Sequence, residues 1–188
     1  MLINIINMTG SITLILGPMF SSKTTELIRQ YNRNALANKK CIMIKYSGDN
    51  RYDNNAVVTH DGMKVTGIKS TLLKNVDEQV KDYDVICVDE VQFYSDGDEY
   101  CDKWANQGKK VYACGLSGTF KRTEFPVISR LIPKVEKIKF LTAICKENGN
   151  EASFSKLDMD NTGDKIEIIG GAEKYRAVDR NEYFSKKN

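Results

Sequence analysis

A short run near the start of the chain has the residue types and spacing of a phosphate-binding loop. Gly17-Pro18-Met19-Phe20-Ser21-Ser22-Lys23-Thr24 fits G-x-x-x-x-G-K-[ST] at every fixed position but one, because Ser22 stands where the second glycine belongs. In such a loop backbone N–H groups face phosphate oxygens, the lysine offsets β/γ-phosphate charge, and the hydroxyl after it holds Mg2+. Those are the roles expected of Lys23 and Thr24. A serine at position 22 fits if its backbone avoids positive φ, or if it adopts the left-handed conformation at a cost of order 1 kcal/mol or more. A plain strand-to-helix turn with a solvated lysine has the same spacing, so the flanking elements decide between the two.

Phosphoryl transfer also needs a carboxylate on the metal and a group to take the proton from the attacking hydroxyl. The run Val85-Ile86-Cys87-Val88-Asp89-Glu90 ends in a candidate for each. Asp89 is expected on Mg2+. Glu90 stands one residue further into the crevice beyond the strand ends, where doubly wound sheets bind ligands, and is the candidate general base. Alone, an Asp-Glu pair also starts surface turns; beside a phosphate loop the catalytic reading prevails.

These groups need rigid elements to hold them. Residues 11–16 form an aliphatic run that stops at Gly17-Pro18, which predicts a buried strand leading into the loop. Apolar residues at Leu27, Ile28, Tyr31, Ala35 and Leu36 are close to helical spacing and predict a helix over 24–38. Further strands are expected at 41–46, 84–89 and 110–114, with a helix over 98–107 that Gly108 ends and a long polar loop over 47–61. The alternation predicts an α/β fold, a P-loop NTPase-like parallel sheet flanked by helices, over residues 1–141. Beyond Leu141 the pattern becomes loop-rich, with a strand at 165–169 broken by Gly170-Gly171, so residues 142–188 are expected to form a small C-terminal lobe.

The 28 basic and 25 acidic side chains nearly balance, which argues against nucleic acid as the main partner. No apolar run approaches the roughly 18–20 residues of a membrane span, and the opening MLINIINMTG lacks a signal peptide's basic region, so a cytoplasmic location is expected. Five cysteines without a C-x-x-C pair read as reduced, buried thiols.

Seven segments, in order along nearly the whole chain, together resemble the cellular and poxviral type of thymidine kinase: GPMFSSKTTEL (17–27), YSGDNRY (46–52), THD (59–61), DEVQFY (89–94), GLSGTF (115–120), EASFSK (151–156) and IEIIGGAEKY (166–175). The resemblance implies transfer of the γ-phosphate of ATP to the 5′-hydroxyl of thymidine. It implies that Gly17 to Thr24 bind the triphosphate with Asp49, Asn50 and Arg51, and that Asp89, Glu90, Val91 and Gln92 complete the ATP and Mg2+ side. The nucleoside is then enclosed by Met19, Phe93, Leu116, Phe120 and Tyr175, with Ser155 and the stretch Ile166, Glu167, Ile168, Ile169 and Gly170 in a lasso loop that reads the base through main-chain groups. The same resemblance implies a tetramer and feedback inhibition by dTTP. A broader deoxynucleoside kinase, or a catalytically weak nucleotide-binding homologue with Ser22 as its defect, are the alternatives.

The family pattern also places two C-x-x-C pairs around a structural zinc. Here the matching positions are Cys145, Asn148, Asp179 and Glu182, and one thiolate with an amide and two carboxylates suits zinc poorly. The lobe is therefore expected to lack structural zinc and to be held by packing among Ile144, Phe154, Val178, Tyr183 and Phe184, or by subunit association. His60, the sole histidine, is expected to pack in a loop.

Overall fold

The computed structural model describes residues 9–48, 57–58, 64–65, 67–158, 171 and 173–185. The expectations for Asp49, Asn50, Arg51, His60, the 165–169 strand and Ile166 to Gly170 fall outside those residues.

The element order is β1 (Ser11–Gly17), α1 (Lys23–Leu36), β2 (Cys41–Tyr46), β3 (Val57–Val58), β4 (Lys64–Val65), β5 (Gly67–Ser70), β6 (Val85–Val88), α2 (Gly97–Asn106), β7 (Lys110–Leu116), α3 (Pro126–Leu131), β8 (Lys137–Phe140), β9 (Ala143–Ile144), β10 (Glu151–Ala152), β11 (Phe154–Leu157), β12 (Tyr175–Val178) and α4 (Arg180–Phe184). Six strands form one sheet in the order β5-β2-β6-β7-β1-β8, and every pairing in it is parallel. β3 and β4, within and just after the expected 47–61 loop, pair antiparallel with each other.

The central strands are apolar at successive positions because helices cover both faces of the sheet. Alternation then sorts each strand's residues between two cores. Ile12, Leu14, Ile42, Ile44, Ile86, Val88, Val111 and Ala113 join Trp104, Ile128 and Leu131 on the α2/α3 side. Ile15, Cys41, Met43, Val85, Cys87 and Cys114 meet Leu27 and Tyr31 of α1 on the other. α1 ends in a left-handed Asn38 (φ 56°), whose N–H and that of Lys39 return to the Ala35 and Asn34 carbonyls. Gly108 (φ 87°) ends α2 in the same way.

The C-terminal lobe has two antiparallel pairs, β9 with β10 and β11 with β12. Its own small core holds Ala143, Cys145, Ala152, Ala177 and Val178, with Phe154 and Tyr183 packed against it. Ile144 and Phe184, expected inside, are 61% and 63% exposed. In β9 the side chain next to buried Ala143 must point to the opposite face, which leaves Ile144 outside. Phe184 instead stacks edge-on against Tyr183 at 5.3 Å and lies 4.7 Å from the Arg122 guanidinium. Tyr183 also donates its hydroxyl to the Phe120 carbonyl at 2.7 Å, which ties the lobe to the loop after β7.

Candidate active site

Parallel pairing brings the ends of β1, β6 and β7 to one edge, with Gly17 opposite Leu116 and Val88 opposite Ala113. The loop after β1 and the Asp89-Glu90 pair after β6 therefore emerge side by side, although 65 residues separate Thr24 from Asp89. The Thr24 hydroxyl donates to Asp89 Oδ1 at 3.1 Å. The Cys114 thiol, on β7, donates to the same oxygen at 2.9 Å. Burial, with the neighbouring Asp89 and Glu90 charges, pushes that thiol far above its ordinary range, so it stays protonated and can keep donating. Thr24 and Asp89 thus present two hard oxygens to one point, a donor pair suited to Mg2+.

The phosphate loop is tightly folded. Lys23 Nζ and Ser21 Oγ both donate to the Pro18 carbonyl, at 2.7 and 2.8 Å, and both side chains lie in largely buried residues. A Cβ at Gly17 would meet Ser21 Oγ at 2.5 Å and the Leu141 carbonyl closer still, so close approach demands glycine there. At the second-glycine position Ser22 takes the costlier of its two expected alternatives: φ is 61° and ψ 30°, left-handed, with no side-chain bond capping α1. Phe20 (φ 65°) and Glu90 (φ 53°) are left-handed as well. Three of the five non-glycine residues with positive φ among those described thus lie around the phosphate loop and the acidic pair, the clustering that functional sites show.

Glu90 directly follows Asp89 and begins a short 3-10 turn over Val91–Phe93. Its Oε2 accepts a hydrogen bond from Gln92 Nε2 at 2.7 Å, while Gln92 Oε1 accepts the Leu116 N–H at 3.2 Å. Val91 is buried in the larger core.

Four of the expected nucleoside-side residues, Met19 with Ser155 and Phe120 with Tyr175, form two linked pairs. The Met19 N–H donates to Ser155 Oγ at 2.9 Å, so the phosphate loop touches β11 of the lobe. Ser155 pairs with Ala177, and Leu157 with Tyr175, which puts Ser155 and Tyr175 on one face of the β11-β12 hairpin. The Tyr175 ring lies 6.3 Å from that of Phe120. Phe93 packs its ring 5.3 Å from Tyr46, a β2 residue that residue-by-residue reading assigned only to a strand. Cys114 was also missed as a site neighbour. Its only sequence signal is its place in the strand beside Asp89's, which needs the sheet order to be seen.

The four positions matching the family's zinc cysteines bond to lobe partners. Cys145 donates to Glu147 Oε2 at 3.1 Å; Asn148 and Asn150 each donate to Asp179 Oδ2 at 2.9 Å. Asp179 Oδ1 caps α4 by accepting the Glu182 N–H at 2.8 Å, and Glu182 accepts from Arg176 at 2.9 Å. Arg176 also pairs with Glu147 and with Asp158. Among the described residues no group of three or more His, Cys, Asp or Glu side chains is arranged to hold a metal ion.

Comparison with known proteins gives one consistent result. A family model described as thymidine kinase matches residues 10–183. Thymidine kinase 1 of Dictyostelium discoideum is 46% identical over 183 residues, 95% of this chain and 80% of the relative. Thymidine kinase of Vaccinia virus (strain Western Reserve) is 47% identical over 175 residues, covering 93% of this chain and 97% of the viral protein. That of Raccoon poxvirus is 46% identical over 177 residues, covering 94% and 98%.

Proposed function

The chain belongs to the thymidine kinase family and phosphorylates thymidine, and on that premise we propose that Glu90 is the general base of the transfer. The supporting observation is the Thr24–Asp89 contact at 3.1 Å, which joins the phosphate loop to the acidic pair. Glu90, next in the chain, takes the proton as the 5′-hydroxyl oxygen of thymidine forms its bond to the γ-phosphorus of ATP and the bond to the β,γ-bridging oxygen breaks. Backbone N–H groups from Gly17 to Thr24, with Lys23, hold and neutralise the phosphates. Thr24 and Asp89 would hold Mg2+, which neutralises charge on the β- and γ-phosphate oxygens when bound. Met19, Phe93, Leu116, Phe120, Ser155 and Tyr175 enclose the nucleoside, with Ile166 to Gly170 over the base and Asp49, Asn50 and Arg51 beside the phosphates. In this reading residues 1–141 carry the chemistry and 142–188 cover the nucleoside.

The finer properties of the family belong to the same proposal: a tetramer, inhibition by dTTP, and a cytoplasmic location. Five free cysteines accord with a reducing compartment. No helix among the described residues is long and apolar enough to cross a membrane. The lobe is held without zinc, through its small core and the bonds around Arg176 and Asp179.

Glu90→Gln tests the central assignment. It should lower kcat roughly 10²- to 10⁴-fold, the usual scale for a general base, with little change in ATP binding. Turnover close to the unaltered protein's would sink it.

A further inference from the structure

We infer that Gln92 is a positioning residue for Glu90, held for that purpose by the backbone of β7 through a gap that Gly115 leaves. The inference deepens the reading of Glu90 as the base and depends on it. Gln92 is only 7% exposed, and a buried amide must find partners for both ends. The Leu116 N–H can only donate, so the Gln92 oxygen has to face β7, at 3.2 Å. The amide NH2 is thereby turned to Glu90 Oε2, at 2.7 Å. The usual ambiguity of amide orientation is settled by that backbone donor. Glu90 has a strained, left-handed backbone, and a fixed donor on one of its oxygens sets the plane of its carboxylate.

Gly115 makes the reach possible. A Cβ there would lie 2.5 Å from Gln92 Oε1, with Val91 Cγ1 at 3.2 Å and Ile128 Cδ1 at 3.3 Å hemming it in. An alanine would therefore displace the amide without altering its chemistry.

Three variants test the assignment through kcat and the KM for ATP, each with its melting curve. Gln92→Leu removes both amide bonds, Gln92→Glu keeps the acceptor but sets a second carboxylate against Glu90, and Gly115→Ala pushes an intact Gln92 aside. Gln92→Leu and Gly115→Ala should lower kcat about 10- to 100-fold with the KM for ATP nearly unchanged, the scale of a misplaced catalytic group. Gln92→Glu should lower kcat at least as far with the KM for ATP again nearly unchanged, because a second carboxylate pushes Glu90 out of place. A structural role alone would lower Tm and leave the kcat of the folded protein intact. If Gln92→Leu does not fold, the other two variants decide. Unchanged kcat, or a raised KM for ATP with kcat preserved, would overturn the assignment, the latter by making Gln92 a nucleotide contact. Glu90→Gln run alongside separates the two readings: if it is active, the base assignment fails, and if it is inactive while the Gln92 and Gly115 variants behave normally, only the positioning role fails.

Discussion

Replacing Ser22 by glycine measures the cost of the irregular phosphate loop. Ser22 lies at φ 61° and ψ 30°, where an L-residue costs roughly 1–2 kcal/mol and glycine does not. Glycine loses about 0.5–1 kcal/mol more chain freedom on folding, so the expected net gain is about 0.5–1 kcal/mol. Little else changes, because the serine side chain caps nothing in α1 and its carbonyl still accepts the Glu26 N–H at 3.0 Å. For a chain of this size that gain raises Tm by roughly 1–4 °C. Affinity for ATP should stay the same or tighten, since the backbone N–H groups that meet phosphate keep their directions. Scanning calorimetry gives the first quantity, and titration with a non-hydrolysable ATP analogue gives the second. A lower Tm would refute the strain argument. More than a tenfold loss of affinity would show instead that the hydroxyl itself touches the nucleotide.

Three further perturbations address the lobe and the helix behind the loop. Purified protein should contain no zinc by metal analysis, and chelation followed by restored Mg2+ should leave Tm and thymidine phosphorylation unchanged. In the same lobe Arg176→Met should cost about 2 kcal/mol, because three carboxylates lose a charged hydrogen-bond partner; one zinc per chain, or an unchanged Tm in the arginine variant, would count against this account. Glu26, bonded by Arg29 at 2.7 Å, Gln30 at 2.6 Å and Lys139 at 3.1 Å, has its carboxyl lowered to about 2, chiefly by the Arg29 hydrogen bond. Its folded-state value lies below the unfolded value of about 4.3, so its contribution is present in full above that pH and is lost as pH falls through about 2. The destabilisation caused by Glu26→Gln in urea unfolding should therefore be constant from neutral pH to about 5 and shrink below about 4; a cost independent of pH would refute it.

The elements that could be read from the residues are those whose burial dominates their composition. The runs at 11–16, 41–46, 84–89 and 110–114 correspond to β1, β2, β6 and β7 within a residue or two at each end, because strands covered on both faces need apolar side chains at successive positions. β5 (GIKS) and β8 (KIKF) lie at the two edges of the sheet and were not read. In β5 only Ser70 is buried and in β8 no residue is, so lysines alternate with apolar residues and each segment resembles a solvated turn. The six-residue α3 is too short for a helical period to register.

The candidate site divides along a similar line. Lys23, Thr24, Asp89 and Glu90 could be singled out as candidates because neutralising phosphate charge, holding a metal ion and taking a proton restrict the residue types suited to those tasks. Cys114 and Gly115 owe their significance to register, as does the contact of Gln92, expected only on the ATP side, with β7. In the sequence Cys114 is one more apolar strand residue and Gly115 one more glycine; only when β7 lies between β1 and β6 does the thiol meet Asp89 and the missing Cβ admit the Gln92 amide. Met19 and Ser155 were both expected on the nucleoside side from the resemblance, but their direct contact, 2.9 Å between N–H and hydroxyl across 136 residues, needs the fold to be seen. That contact carries a mechanical consequence. The loop after β1 and the lobe strand are bonded directly, so in the proposed reading, where one holds the triphosphate and the other lies on the nucleoside side, a change made at Ser155 reaches the backbone of Met19.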